Sequence, residues 1–437
     1  MIRFAIVLAG FVMAALPLRA AVTIEEVTSP GGITAWLVQE PTIPFTALEI
    51  RFKGGAGVES ADKRGAVNLM MATLEEGAAD LDAQGFAAAR ETLASSYGFD
   101  AWNDAVSISA QFLSENRDEA VALLRKALIE PRFEQVAIDR VRDQVLSGLR
   151  SDATDPGEIA SATAERLAWG DHPYGSDKSG TIDTVTALTR DDIVQAHRDV
   201  LVRDRLFVGA VGDITPEALG LLLDELLGDL PQSGAPLPGL ASYGLAGGVT
   251  VVPFDTPQSV IIFGHGGIDR DDPDFFAAFV ANQIFGGGNF SSRLMTEVRE
   301  KRGLTYGIGS YLANYDQGQA VLGQTSTINA RAAETVDVVR AEWARLADEG
   351  VTPEELNAAK TFLTGAYPLR FDGNGRIASQ LVGMQMEGLG IDYIVTRNDL
   401  VNAVTLEDVN RVVKQIYRPE DLHFVIVGQP EGVEPTN

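Results

Sequence analysis

The chain is internally duplicated, and this limits what it can fold into more than any other feature. LTRDDIVQAHRDVLVRDRLFVGAVGD at 188–213 recurs as VTLEDVNRVVKQIYRPEDLHFVIVGQ at 404–429. In both, a threonine and acids precede a helical run and an apolar strand ending in Val-Gly. Gly212 and Gly428 fix the offset at 216 residues. Earlier in each half an Arg-Glu pair precedes a tyrosine, as Arg90, Glu91 and Tyr97 and again as Arg299, Glu300 and Tyr306, the arginine standing seven positions before the tyrosine both times. An alternating run follows (AVSISAQFL at 105–113, AVLGQTSTI at 320–328), then an amphipathic helix (EAVALLRKAL, ETVDVVRAEW). A repeated order of strand, helix, clustered strands and gathered helices predicts two α+β domains. Each should hold a mainly antiparallel sheet with helices packed on one face, not a doubly wound parallel sheet.

A length of 437 residues also exceeds what one core usually supports. Between the halves lies PQSGAPLPGLASYGLAGG, rich in Pro, Gly and Ser and without apolar periodicity. The expected organisation is therefore a first domain at 21–230, a linker at 231–248 and a second domain at 249–437, with the boundary near residue 235. Residues 1–20 read as a signal peptide: Arg3, an apolar run too short for a comfortable span, then Pro17 and small residues, with cleavage near Ala20. Release into the periplasm is expected, an uncleaved anchor being the alternative. With no cysteine, neither disulfides nor thiolate chemistry are available. The formal net charge of −26 opposes binding to nucleic acid or anionic membrane. It becomes more negative when Arg3 and Arg19 leave with the signal peptide.

Several separate segments carry a family resemblance: GGAGVES…RGAVNLMMATLEEGA (54–78), HPYG (172–175), the duplicated strand ends and, most specifically, FGGGNFSSRLMTEVREKRGLTYGIGSY (285–311). Over nearly the whole mature length the chain resembles the pitrilysin/insulinase family of zinc peptidases, in the branch of mitochondrial processing peptidase. The resemblance implies a two-domain unit forming half of a clamshell chamber. In catalytic members a helix equivalent to 65–77 carries His-x-x-Glu-His, the histidines binding zinc and the glutamate activating water. This chain has Asn68, Met71 and Ala72 at those positions, and the third ligand's position falls at about Gly148. No metal site is therefore expected in this chain. Glu75 and Glu76 are poor substitutes, being adjacent on the chain with no histidine beside them. His172, His197 and His423 are expected to be structural, and His265 to end a strand.

The family's second domain supplies an arginine and a tyrosine seven residues apart that hold substrate beside the zinc. Arg299 and Tyr306 match those positions and are the expected substrate-binding pair, with no catalytic residue in this chain. The plainer alternative is an ion pair from Arg299 to Glu297 or Glu300, with Tyr306 at a core edge. Arg90 and Tyr97 are expected to pack. Gly286–Gly288 reads as a flexible turn, since no Gly-Lys-Ser/Thr follows. Two functions fit. One is a non-catalytic subunit of a heterodimeric zinc peptidase whose homologous partner carries the zinc. The other is a non-enzymatic, peptide-binding or structural homodimer.

Overall fold

The computed structural model describes residues 23–288 and 290–436, and the signal-peptide segment 1–20 lies outside them. The first half builds a six-stranded sheet from β1 (Glu25–Thr28), β2 (Thr34–Gln39), β3 (Phe45–Lys53), β4 (Ser96–Ala101), β5 (Ala105–Leu113) and β6 (Leu206–Gly212), in the order β1-β2-β6-β3-β5-β4. The second half builds a five-stranded sheet from β7 (Gly248–Pro253), β8 (Gln258–Gly266), β9 (Ile308–Tyr315), β10 (Gly318–Ile328) and β11 (His423–Gly428), ordered β9-β10-β8-β11-β7. Leaving out β1, the second order reproduces the first strand for strand. Each sheet is antiparallel except for one pair, β2 with β6 and β7 with β11.

Local chemistry repeats with the topology. Thr189 and Thr405 cap their helices, Arg190–Val200 and Leu406–Ile416, in reciprocal capping boxes with Asp192 and Asp408. Gly212 and Gly428 both have positive φ, 139° and 152°. A Cβ at Gly212 would lie 2.2 Å from the Phe45 carbonyl oxygen, and one at Gly428 would lie 2.7 Å from Ser259 Oγ. The duplicated Val-Gly ending thus lets the closing strand pass tightly against its neighbour.

Each half has its own core, in which its helices cover one sheet face. The opposite face of each sheet is covered by the other half. The Asn374–Met386 helix lies on the first sheet, where Ile377, Ala378 and Leu381 bury Trp36, Val38 and Val211. Its repeat counterpart, the Pro156–Trp169 helix, lies on the second sheet and puts Ala168 and Trp169 against Ala313 and Ala320. The physical reason is that β6 and β11 are nearly continuous apolar runs, which need cover on both faces. Trp169 fixes this seam by meeting Tyr174, Tyr243 and Tyr315 edge-on, at centroid distances of 5.6, 5.1 and 5.7 Å. Such ring pairs each add about 0.5–1.5 kcal/mol beyond their buried area.

The segment 231–248 is not a free tether. Ala241 N–H donates to Gln317 O and Gly244 N–H to Ala168 O, both at 2.7 Å, so the segment is tied to both halves. Among the described residues no helix is long and apolar enough to cross a membrane.

Candidate functional site

The Ala66–Thr73 helix carries the three substituted motif positions and is shorter than the 65–77 frame. It starts after Gly65 (φ 99°), where a Cβ would lie 2.6 Å from Ser179 O. Glu59 closes its N-terminus, accepting from Val67 N at 2.5 Å and Gly65 N at 3.2 Å. Burial pushes the Glu59 pKa up to about 7 although Arg64 stands 3.4 Å away. Arg64, also buried, donates to the carbonyls of Asp177, Pro173 and Ser176 and so anchors the HPYG turn to this helix start.

Asn68 is half-buried, Met71 is 1% exposed within the first core, and Ala72 faces solvent. Gly148, on the neighbouring Gln135–Asp152 helix, has no atom within 4 Å of where its Cβ would be. An amide, a thioether, a methyl group and a hydrogen do not fit zinc, which takes imidazole, thiolate or carboxylate donors. Glu75 and Glu76 leave the helix and pair separately, with Arg90 and Arg140. Among the described residues no group of three or more His, Asp or Glu side chains lies close enough to hold a metal ion.

The four histidines are held by structural bonds. His172 caps the HPYG turn, its Nδ1 accepting from Tyr174 N. His197 Nε2 lies 2.8 Å from Leu128 O, and His423 Nδ1 lies 2.7 Å from Gly247 O. His265, near the end of β8, is fully buried. Its Nδ1 donates to Gly266 O at 2.8 Å, while its Nε2 accepts from Trp343 Nε1 at 3.2 Å and Arg418 N at 3.3 Å. Burial pulls its pKa down to about 4, so the ring stays neutral at physiological pH.

The second half presents a different surface. The Phe275–Phe285 helix ends at Gly286, and a wide π-type turn, Met295–Glu300, leads to Tyr306. Tyr306 is 92% exposed and lines a cleft of about 1200 Å³ together with the Gly286–Gly288 turn, Ser310, Tyr311 and Phe362. One wall is β9, the edge strand of the second sheet. Arg299 does not line the cleft; its guanidinium lies over the exposed Phe290 ring, 5.0 Å from the centroid. The ion pair to Glu297 is not formed, because Glu297 is engaged by Lys301 at 2.7 Å and Arg302 at 2.8 Å. In the first half the same spacing has another outcome. Arg90 pairs with Glu75, and Tyr97, 8% exposed, donates its hydroxyl to Ala120 O at 2.7 Å.

The fold also gathers residues that no motif links. Arg270, Arg370 and Arg397 surround a recess continuous with the cleft, and their wide separation along the chain left no signal.

The chain is similar to several known proteins. Residues 187–363 match the peptidase M16 inactive domain. The non-peptidase homolog YmxG of Helicobacter pylori is 27% identical over 390 residues, which cover 88% of this chain and 89% of that protein. A probable mitochondrial-processing peptidase subunit beta of Schizosaccharomyces pombe is 27% identical over 330 residues, covering 72% of this chain and 71% of its own. The crystal structure of a peptidase M16 inactive domain from Pseudomonas fluorescens superposes with a TM-score of 0.87 at 26% identity, covering 94% of this chain and all of that one. Residues 187–363 thus match the inactive domain of the M16 peptidase family, and over nearly its whole length the chain is similar in sequence and fold to proteins named as inactive or non-peptidase members of that family.

Proposed function

We propose that this chain is the non-catalytic subunit of a heterodimeric zinc peptidase, with Arg299 and Tyr306 contacting substrate peptide at the zinc site of a homologous partner. The observation that carries this reading is the asymmetry between repeats. One tyrosine of the repeated pair is buried and bonded, while Tyr306 stands free at the mouth of a large cleft. A phenol can donate to a developing oxyanion and a guanidinium to a peptide carbonyl, and neither task needs metal in this chain. The edge strand β9 gives an extended peptide a backbone to lie against. The named relative that is a subunit beta supports an assembly of unlike chains. In this reading the partner supplies zinc and the general base, each chain forms half of a closed chamber, and the site of action is the periplasm.

The test is a peptidase assay on peptide mixtures with this chain alone, with a homologue from the same genome that carries His-x-x-Glu-His, and with both, each with and without chelator. Activity confined to the mixture and abolished by chelator is expected. Arg299→Ala and Tyr306→Phe should leave assembly intact and lower the mixture's turnover, each by on the order of a hundredfold, since one transition-state donor contributes about 3 kcal/mol. Unchanged turnover in both variants would remove the pair from the site. A second reading, a peptide-binding or structural homodimer without peptidase activity, is favoured by the relative named a non-peptidase homolog. Inactivity in every mixture would select it.

A further inference from the structure

Three arginines far apart in the chain meet at the recess at the end of the cleft. The chain has 61 acidic residues against 35 lysines and arginines, and other arginines of the second half do find carboxylates: Arg293 pairs with Glu355 at 2.7 Å and Arg411 with Asp274 at 2.5 Å. Arg270, Arg370 and Arg397, around a recess of about 270 Å³, form no ion pair with any described residue. Arg270 lies over the Phe275 ring at 4.2 Å and donates to Tyr393 Oη at 3.0 Å. Arg397 is 5% exposed and lies over the Tyr367 ring at 4.7 Å, its Nη1 donating to Leu363 O at 2.9 Å and Asn398 Oδ1 at 3.1 Å. Arg370 ends the Tyr367–Arg370 turn, is exposed, and lines both recess and cleft. The one carboxylate lining the recess, Glu387, is not within ion-pair distance of any of them.

Aromatic faces orient a guanidinium but do not neutralise it. Holding three such charges together, one of them buried, is costly unless an anion joins them. The forked donors of arginine match a carboxylate in geometry. We propose that this recess binds a carboxylate belonging to a peptide that lies in the cleft, either its C-terminal carboxylate or an acidic side chain. The inference rests on the peptide-binding reading of the cleft and not on the partner subunit or on Arg299 and Tyr306. It gives the chain its own selectivity for peptides: the cleft takes the backbone and the recess selects an acidic group.

The experiment is fluorescence anisotropy on the full chain with three N-terminally labelled, otherwise uncharged decapeptides: a free acid, its C-terminal amide, and the amide carrying one internal glutamate. At least one carboxylate-bearing peptide should bind tenfold or more tightly than the plain amide. A preference for the free acid alone identifies the C-terminus as the ligand, and an equal preference for the glutamate peptide identifies any carboxylate. Arg370→Gln, on an exposed turn, and Arg270→Gln should each reduce the preference severalfold. Equal binding of all three peptides would overturn the carboxylate inference while leaving the peptide groove standing. No binding of any peptide would overturn both, and a preference that survives both variants would place the carboxylate elsewhere.

Discussion

A buried phenol hydroxyl and the carbonyl it serves are costly to leave unbonded, whereas an exposed phenol is satisfied by water. Tyr97 and Tyr306 occupy equivalent places in the two repeats and fall on opposite sides of this rule. Tyr97→Phe removes the donor to Ala120 O inside the first core and should cost about 1–2 kcal/mol in denaturant-induced unfolding. Tyr306→Phe should leave stability within about 0.5 kcal/mol, as expected for an exposed position. Equal losses in the two variants would mean that Tyr306 has a structural partner. The shared seven-residue spacing was legible in the sequence, but the opposite outcomes were not. The difference is where each tyrosine falls: Tyr97 lies inside β4, with its hydroxyl turned into the first core, whereas Tyr306 lies two residues before β9 begins. The substituted motif positions were legible directly, because Asn, Met and Ala lack zinc's donors wherever the helix places them.

At the scale of elements, the periodic runs at 105–113 and 320–328 became β5 and most of β10, and the duplicated Thr-x-acid-acid signatures became capping boxes. The exchange of helices between halves was not legible. An amphipathic pattern shows that a helix buries one face but not which sheet receives it. A close approach in the exchange is at Gly209 of β6, where an added Cβ would lie 2.7 Å from Ala378 O and 3.1 Å from Leu381 Cβ. Gly209→Val should therefore push the Asn374–Met386 helix off the first sheet and cost about 2–3 kcal/mol, the usual range for overpacking. Gly239→Ala, in the connecting segment with nothing within 4 Å of its Cβ, is the matched control and should be neutral. Similar stability of the two variants would mean that the helix rests loosely on the sheet.

For the molecule as a whole, the exchange decides whether the two halves are separable. Each half lends one helix to the other's sheet, so parting them exposes Trp36, Val38 and Val211 on one side and Ala313 and Ala320 on the other. Trp169 loses its Tyr315 contact in the same event. Two domains joined only by a flexible tether would unfold separately, but halves whose cores are completed by each other should unfold as one cooperative unit. The connecting segment permits a direct test, because Leu240 is 85% exposed and sits beside Gly239, where a cut disturbs no sheet or helix. Ala241 and Gly244, just after the cut, keep their bonds to Gln317 and Ala168. Chain severed after Gly239 should therefore elute as one species in size-exclusion chromatography and give a single thermal transition close to that of the intact chain. Its two fragments should separate only in denaturant. If the fragments part under native conditions, or if intact chain melts in two steps, the exchanged helices contribute little and the halves are independent domains that merely touch.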